Sequence, residues 1–181
     1  RKFVFLLAFV MGIATYGMGA EPVGIFDDNV DIGEPGVPGL SEYNSATGIY
    51  RVDAVGATIG NRSPIDSFHF TYKKISASFA IEGNPYPLDD IGRGGLMVRQ
   101  SLDADSIHIS LLMTSSVAAD SNSSLGSVFP TFRTLKGGGS IRDGDPDAAP
   151  GGFTNDNSGP IRLERIGNSV HMYRMTTAGA W

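Results

Sequence analysis

One stretch constrains this chain more than any other: residues 93–114, reading RGGLMVRQSLDADSIHISLLMT. It holds two runs of period-two alternation joined by a short polar segment, the signature of a β-hairpin. Leu96 and Val98 share one face of the first run, with Met97 and Arg99 on the other. In the second run Ile107, Ile109, Leu111 and Met113 share a face, and His108, Ser110 and Thr114 point away with Leu112 among them. Both apolar sets must reach the same core, and a one-residue slip would reverse every side chain. That demands an odd sum of paired residue numbers, which leaves registers two residues apart open; pairing Val98 with Ile109 and Leu96 with Leu111 satisfies it. It also sets Arg99 opposite His108 on the face away from the core. The linker at 101–106 lacks the Asn-Gly or Asp-Gly of a tight turn, so a loop longer than two residues is expected.

The rest of the chain repeats this pattern. Residues 48–55, 66–73 (DSFHFTYK), 77–82, 128–135, 161–166 and 170–175 read as short strands. Pro130 marks an edge or a bulge in its strand. Gly167-Asn168 reads as the turn of a closing hairpin. The segments at 83–95, 117–127 and 136–159 read as loops, the last almost wholly turn chemistry. Residues 21–45 are rich in Gly, Pro, Asp and Asn and read as an irregular leading segment. No helical periodicity follows residue 20. With 24 Gly and 10 Pro in 181 residues, many turns between short strands predict an all-β fold, an antiparallel sandwich occupying 46–181.

In that sandwich Phe68, Phe70, Tyr72, Phe79, Ile81, Leu96, Val98, Ile109, Leu111 and Leu163 are expected between two sheets. His69, Arg99 and His108 are expected to be more exposed than their strand neighbours.

The first 20 residues read as an address. Arg1 and Lys2 precede an apolar run from Phe3 to Ile13, followed by small residues at Gly17, Gly19 and Ala20. This is the pattern of a secretory signal peptide. The run is too short and too interrupted for a membrane span. A secreted or cell-surface location is therefore expected, with no membrane span in the mature chain. The last residue, Trp181, closes a run that still reads as strand and turn, so one or more closing strands are expected beyond it. No Cys is present, which excludes disulfides, thiolate metal sites and a lipidated Cys. Cleavage at Ala20 would remove two of the 14 bases and none of the 19 acids, leaving a net charge of −7. Such a chain is a poor partner for nucleic acid, whose phosphates need a basic surface.

Hydrolytic chemistry finds little footing. The five Glu, at 21, 34, 42, 82 and 164, are far apart in sequence, whereas glycosidases need two carboxyl groups about 5–10 Å apart. Asp103 and Asp105 sit in a turn, where acids are mostly solvated. No G-x-S-x-G elbow occurs, and His69, His108 and His171 are the only imidazoles. For metal, Asp143, Asp145 and Asp147 stand at alternate positions of RDGDPD, a spacing that suits calcium on a flexible loop. Ala148 and Thr154 occupy the places where an EF-hand needs Gly and Glu, so that motif is absent. Asp27, Asp28 and Asp31 form a weaker acidic group. No cofactor is required by any of this.

The remaining candidates are ligand-binding. Arg99 and His108 are expected side by side on a polar sheet face, joined by Arg133 if its strand is a neighbour. Tyr86, in the Pro-rich loop before the hairpin, is the candidate aromatic. Planar polar groups beside an aromatic surface suit a sugar. The competing reading is that Arg99 covers sheet surface with its stem and pairs with a nearby carboxylate.

The order DIGEPGVPG, TGIYRVDAVGATIG, DSFHFTYKKISASFAIEG, GRGGLMVRQSLDADSIHISLL and IRLERIGNSVHMYRMTTAGAW resembles the secreted bacterial branch of the concanavalin A-like lectin/glucanase superfamily, close to laminin-G-like modules. Relatives often carry a Trp before the Gly corresponding to Gly60; here that residue is Ile59. The resemblance implies a two-sheet jelly roll, an extracellular location and a place within a larger surface protein. It implies no single function, because the fold hosts many. Three readings result: a non-catalytic lectin-like module binding glycan or an extracellular protein, a structural module with no ligand of its own, and, less favoured, a glycoside hydrolase.

Overall fold

The computed structural model describes residues 22–56, 59, 62–86, 93–114, 128–142, 159–175 and 178–181. Among them are eleven strands and no helix. The strands are β1 (Asp28–Ile32), β2 (Leu40–Asn44), β3 (Ile49–Asp53), β4 (Phe68–Tyr72), β5 (Phe79–Gly83), β6 (Arg93–Arg99), β7 (His108–Thr114), β8 (Val128–Arg133), β9 (Ile141–Arg142), β10 (Ile161–Ile166) and β11 (Ser169–Arg174). All pairings are antiparallel. They form a four-stranded sheet β6-β7-β8-β9, a three-stranded sheet β11-β10-β5, and two ribbons, β1-β4 and β2-β3.

The central hairpin takes the expected register, with Val98 opposite Ile109, Leu96 opposite Leu111 and Arg99 opposite His108. The closing hairpin turns at Gly167-Asn168, with Ile166 opposite Ser169; Gly167 has φ +60° there. Pro130 pairs with Leu111 on β7, while β9 reaches only Thr131 and Phe132. Among the described residues no strand pairs with Pro130 on the β9 side of β8, the placement that a residue without an N–H tolerates.

The two larger sheets share one apolar core. Leu111, Met113 and Val128 come from the first and Ile161 and Leu163 from the second, with Ile81, Leu96, Val98, Val170 and Met172 packed around them. This two-layer packing has the character of a β-sandwich. Leu111 and Leu163 are wholly buried, and truncating such a Leu to Ala costs about 2–5 kcal/mol.

Three expectations are corrected. Residues 21–45 are not irregular throughout: β1 and β2 lie inside them. The segment at 136–159 contains β9. The third concerns exposure. His69 is 9% exposed, His108 1% and the Arg99 side chain 3%, while Phe68, Phe70, Tyr72 and Phe79 are only half-buried. The reason is that the four-stranded sheet is covered on both faces. Ile32, Val30, Phe68 and Phe70 share one face of the β1-β4 ribbon by their register. Arg99 lies under the Phe68 and Phe70 rings, its guanidinium carbon 5.4 and 5.9 Å from their centroids. A sheet face that reads as polar is therefore an interior.

Candidate functional site

Arg99, His108 and Arg133 do come together: His108 is paired with Arg99 on one side and with Arg133 on the other. What closes over them is Asp66, which sequence reasoning did not single out. Its segment is tied down by its backbone. Arg62 N donates to Ser140 O (2.8 Å), Ser140 N to Ser63 O (3.1 Å) and Asp66 N to Ala104 O (2.8 Å). Gly33 passes so close that an added Cβ would collide with the Asp66 carbonyl, and its φ of +65° also favours glycine.

Arg133 donates to both Asp66 oxygens, Nη2 to Oδ1 at 2.7 Å and Nη1 to Oδ2 at 3.0 Å. Its remaining donors reach the carbonyls of Ser63, Ala104, Ser106 and Gly138. Arg99 stands 3.5 Å from Asp66 Oδ2 and donates to the carbonyls of Ser101 and Asp103. His108 Nε2 is 3.2 Å from Ser140 Oγ, and its Nδ1 is buried without a hydrogen-bond partner among the described residues. Burial pushes the His108 imidazole down to about 4, the nearby arginines add to this, and Asp66 opposes it. The three residues are thus spent on the fold. An Arg133 with its donors all directed at protein acceptors has nothing left for a ligand.

Tyr86 is 72% exposed and follows β5, a strand of the other sheet; the rings over Arg99 are Phe68 and Phe70. Asp143, Asp145 and Asp147 lie outside the described residues, as do the leader at 1–20 and the loop at 117–127. Asp27, Asp28 and Asp31 are engaged separately, by Lys74 N, Asn29 N and His69. Among the described residues no group of three His, Cys, Asp or Glu could hold a metal ion, and no helix is long and apolar enough to cross a membrane.

A second polar cluster has the connectivity of a charge relay. His69 Nδ1 is 2.7 Å from Asp31 Oδ1 and its Nε2 is 3.1 Å from Ser41 Oγ. The His69 hydrogen bond holds the Asp31 carboxyl below the usual carboxylate range, and the N–H of Gly39 adds to this. A serine hydrolase needs these links and also a free, reachable hydroxyl. Here Ser41 is buried at 9% exposure and its Oγ also bonds Thr71 Oγ1. Gly39 packs so tightly on the His69 ring that an added Cβ would overlap it. The cluster joins β1, β2 and β4; it is a clamp that docks the β2-β3 ribbon.

Among the described residues, one polar surface that stays open belongs to the three-stranded sheet. Ile161 and Leu163 of β10 point into the core, so Arg162 and Glu164 point outward. In register, Arg162 lies between Glu82 and Tyr173, and Glu164 between Ala80 and His171. Arg162 Nη1 donates to Glu82 Oε1 at 2.6 Å and Nη2 to Glu164 Oε1 at 2.8 Å. The paired carboxylates raise Arg162 above its ordinary range, the Glu164 hydrogen bond contributing most. The Arg162 guanidinium lies 5.9 Å from the Tyr173 ring centroid. The His171 and Tyr173 rings run nearly parallel, 24° and 6.4 Å apart. The side chains remain reachable, at 25% exposure for Arg162, 24% for Glu164 and 47% for Glu82. The sequence signal was the outward set of IRLERI and SVHMYR, legible by alternation once the inward set was assigned.

A second open feature is a groove of about 630 Å³ on the β2-β3 ribbon, lined by residues including Glu42, Tyr43, Asn44, Ile49 and Arg51. There Arg51 is held by Asp53 (3.0 Å) and Tyr43 rests on Tyr50 (4.5 Å between centroids).

Compared with known proteins, the chain matches no family model, no curated protein and no solved structure.

Proposed function

We propose that this chain is a secreted, non-catalytic, lectin-like β-sandwich module of concanavalin A-like type, and that it binds carbohydrate on the outward face of the β11-β10-β5 sheet. The observation that carries the reading is the row Glu82–Arg162–Tyr173 with Glu164 and His171 beside it. It sets planar donors and acceptors next to an aromatic strip on a rigid sheet, which is the chemistry sugar hydroxyls and sugar ring faces ask for. Tyr86 is a further exposed aromatic, three residues past the end of β5. The resemblance in sequence to lectin-like modules supports the same reading.

Catalysis is disfavoured on chemical grounds. Glu82 and Glu164 are the two carboxylates on this face, and both are paired with Arg162. A glycosidase needs one carboxyl aimed at the leaving-group oxygen and the other at water or the sugar, whereas here each has an oxygen turned to Arg162.

A structural module without a ligand is the second reading, favoured by the buried ion cluster, which shows polar residues committed to the fold. The two are separated by affinity electrophoresis of the intact protein in gels containing laminarin, xylan or polygalacturonate. Retardation by one of these, abolished by Tyr173→Ala and left intact by Arg51→Ala, supports the sheet face. Retardation abolished by Arg51→Ala instead moves the site to the β2-β3 groove. No retardation by any polysaccharide supports the structural module.

A further inference from the structure

The carboxylates of the sheet face do more than accept hydrogen bonds. We propose that Glu82 and Glu164 set the ligand class: by occupying Arg162 they make the face a site for neutral sugars and exclude uronate, sulfated and other anionic ones. This rests on the lectin-like reading above and goes beyond it.

An arginine on a binding face is ordinarily the group that captures carboxylates and sulfates, because its planar fork matches them in bidentate fashion. In this face each terminal nitrogen of the fork already donates to a glutamate, at 2.6 and 2.8 Å. An anionic sugar would have to displace a carboxylate and then lie beside it. Two carboxylates against one guanidinium leave the row with an excess of negative charge, and like charges brought together in a partly desolvated site are strongly disfavoured. The chain as a whole adds to this, with 19 acids against 14 bases. For a neutral sugar the same arrangement is an asset. The second oxygen of each glutamate has no hydrogen bond to a described residue and is placed to accept from a hydroxyl, and an ionised carboxylate accepts with a stronger bond than a neutral group does. The guanidinium keeps both glutamates oriented without a ligand, so little side-chain freedom is lost on binding. The His171–Tyr173 strip meets the apolar side of the sugar ring.

Glu82 is the sharper test residue, because it is half-exposed and on the strand next to Arg162. Glu82→Gln keeps its shape and removes its charge; Glu82→Gln combined with Glu164→Gln removes both negative charges that compete with an anion for the fork. Binding is measured by affinity electrophoresis and titration calorimetry against two probe sets, laminarin and xylo-oligosaccharide as neutral sugars, polygalacturonate and heparin as anionic ones. The intact protein is expected to bind a neutral probe at least roughly tenfold more tightly than an anionic one, a single charge-pair's worth of discrimination. The double variant is expected to lose neutral affinity and to gain an anionic probe, with an unchanged melting temperature. Tyr173→Ala is expected to abolish binding of both. Intact protein that prefers an anionic probe, in a manner abolished by Tyr173→Ala, overturns the class assignment and leaves the sheet-face site standing. A double variant that gains no anionic binding also overturns it. Binding of no probe by any form removes the lectin-like reading, and this inference with it.

Discussion

Arg133 grips Asp66 with both ends of its guanidinium across 67 residues of chain, at 2.7 and 3.0 Å, and both side chains are fully buried. Removing one partner leaves the other charge uncompensated in the interior, which costs about 3–5 kcal/mol. Asp66→Ala and Arg133→Ala should each lower the urea midpoint accordingly, in a two-state unfolding experiment with unchanged slope. Asp66→Asn should lose less than Asp66→Ala, because the amide keeps an acceptor for Arg133. Variants that melt like the parent would show that this buried pair contributes nothing.

Arg99 follows the same logic. Its side chain is 3% exposed and lies beneath two phenylalanine rings. Arg99→Ala should destabilise the domain by about 1–3 kcal/mol, the usual loss for hydrogen bonds to a charged group. It should leave polysaccharide retardation unchanged at temperatures where the variant is folded. Lost binding with unchanged stability would return Arg99 to the ligand site.

His108 predicts the acid limb of stability. Its folded value is pushed down to about 4 from 6.5, with Asp66, Arg99 and Arg133 facing it. Between those values the unfolded chain binds the proton and the folded chain does not. Stability must then fall as pH drops from about 6.5 to about 4, by as much as about 3 kcal/mol, and the group contributes no further slope below. Asp31 acts in the same sense in a lower window. Its depressed value gives stability that is present above 3.8 and lost as pH falls through the folded value. His108→Gln should flatten the limb between 6.5 and 4 and leave the lower one. An unchanged slope would place the titration elsewhere.

The Asp31–His69–Ser41 relay should be chemically silent. Ser41 Oγ is shared between His69 and Thr71 and is buried, so a fluorophosphonate probe should not label it. Labelling that Ser41→Ala abolishes would make Ser41 a nucleophile and overturn the clamp. As a clamp, its loss is local. His69→Ala and Gly39→Ala should speed amide exchange across β2 and β3 while β7 and β10 keep their protection, because local opening need not involve the core. Uniformly faster exchange would show that the whole fold leans on His69.

Alternation in residues 93–114 and 161–175 was enough to place two hairpins and to fix which residues share a face, since a slip of one residue exposes every apolar side chain; a slip of two keeps the faces, so the exact register was decided by the assembled structure. The same rule made Leu96, Val98, Leu111 and Leu163 legible as core residues. It also predicted that Arg99 and His108 would stand side by side, while Arg133 joins them only because β8 turns out to be the next strand. It could not say what lies above them. A sheet face is wet or dry according to what the rest of the chain lays across it. Here residues 62–68 and the β1-β4 ribbon do so, joined to the sheet by contacts that carry no period in the sequence. Asp66 and His69 were hidden for that reason: each is an isolated polar residue whose partners stand tens of positions away, Arg133 for one and Asp31 and Ser41 for the other. The open face with Arg162 lay in plain alternation. Which polar face stays reachable is a property of the packing, because burial is decided by neighbours in space, and pairing across 67 residues costs chain entropy that only the assembled interior repays.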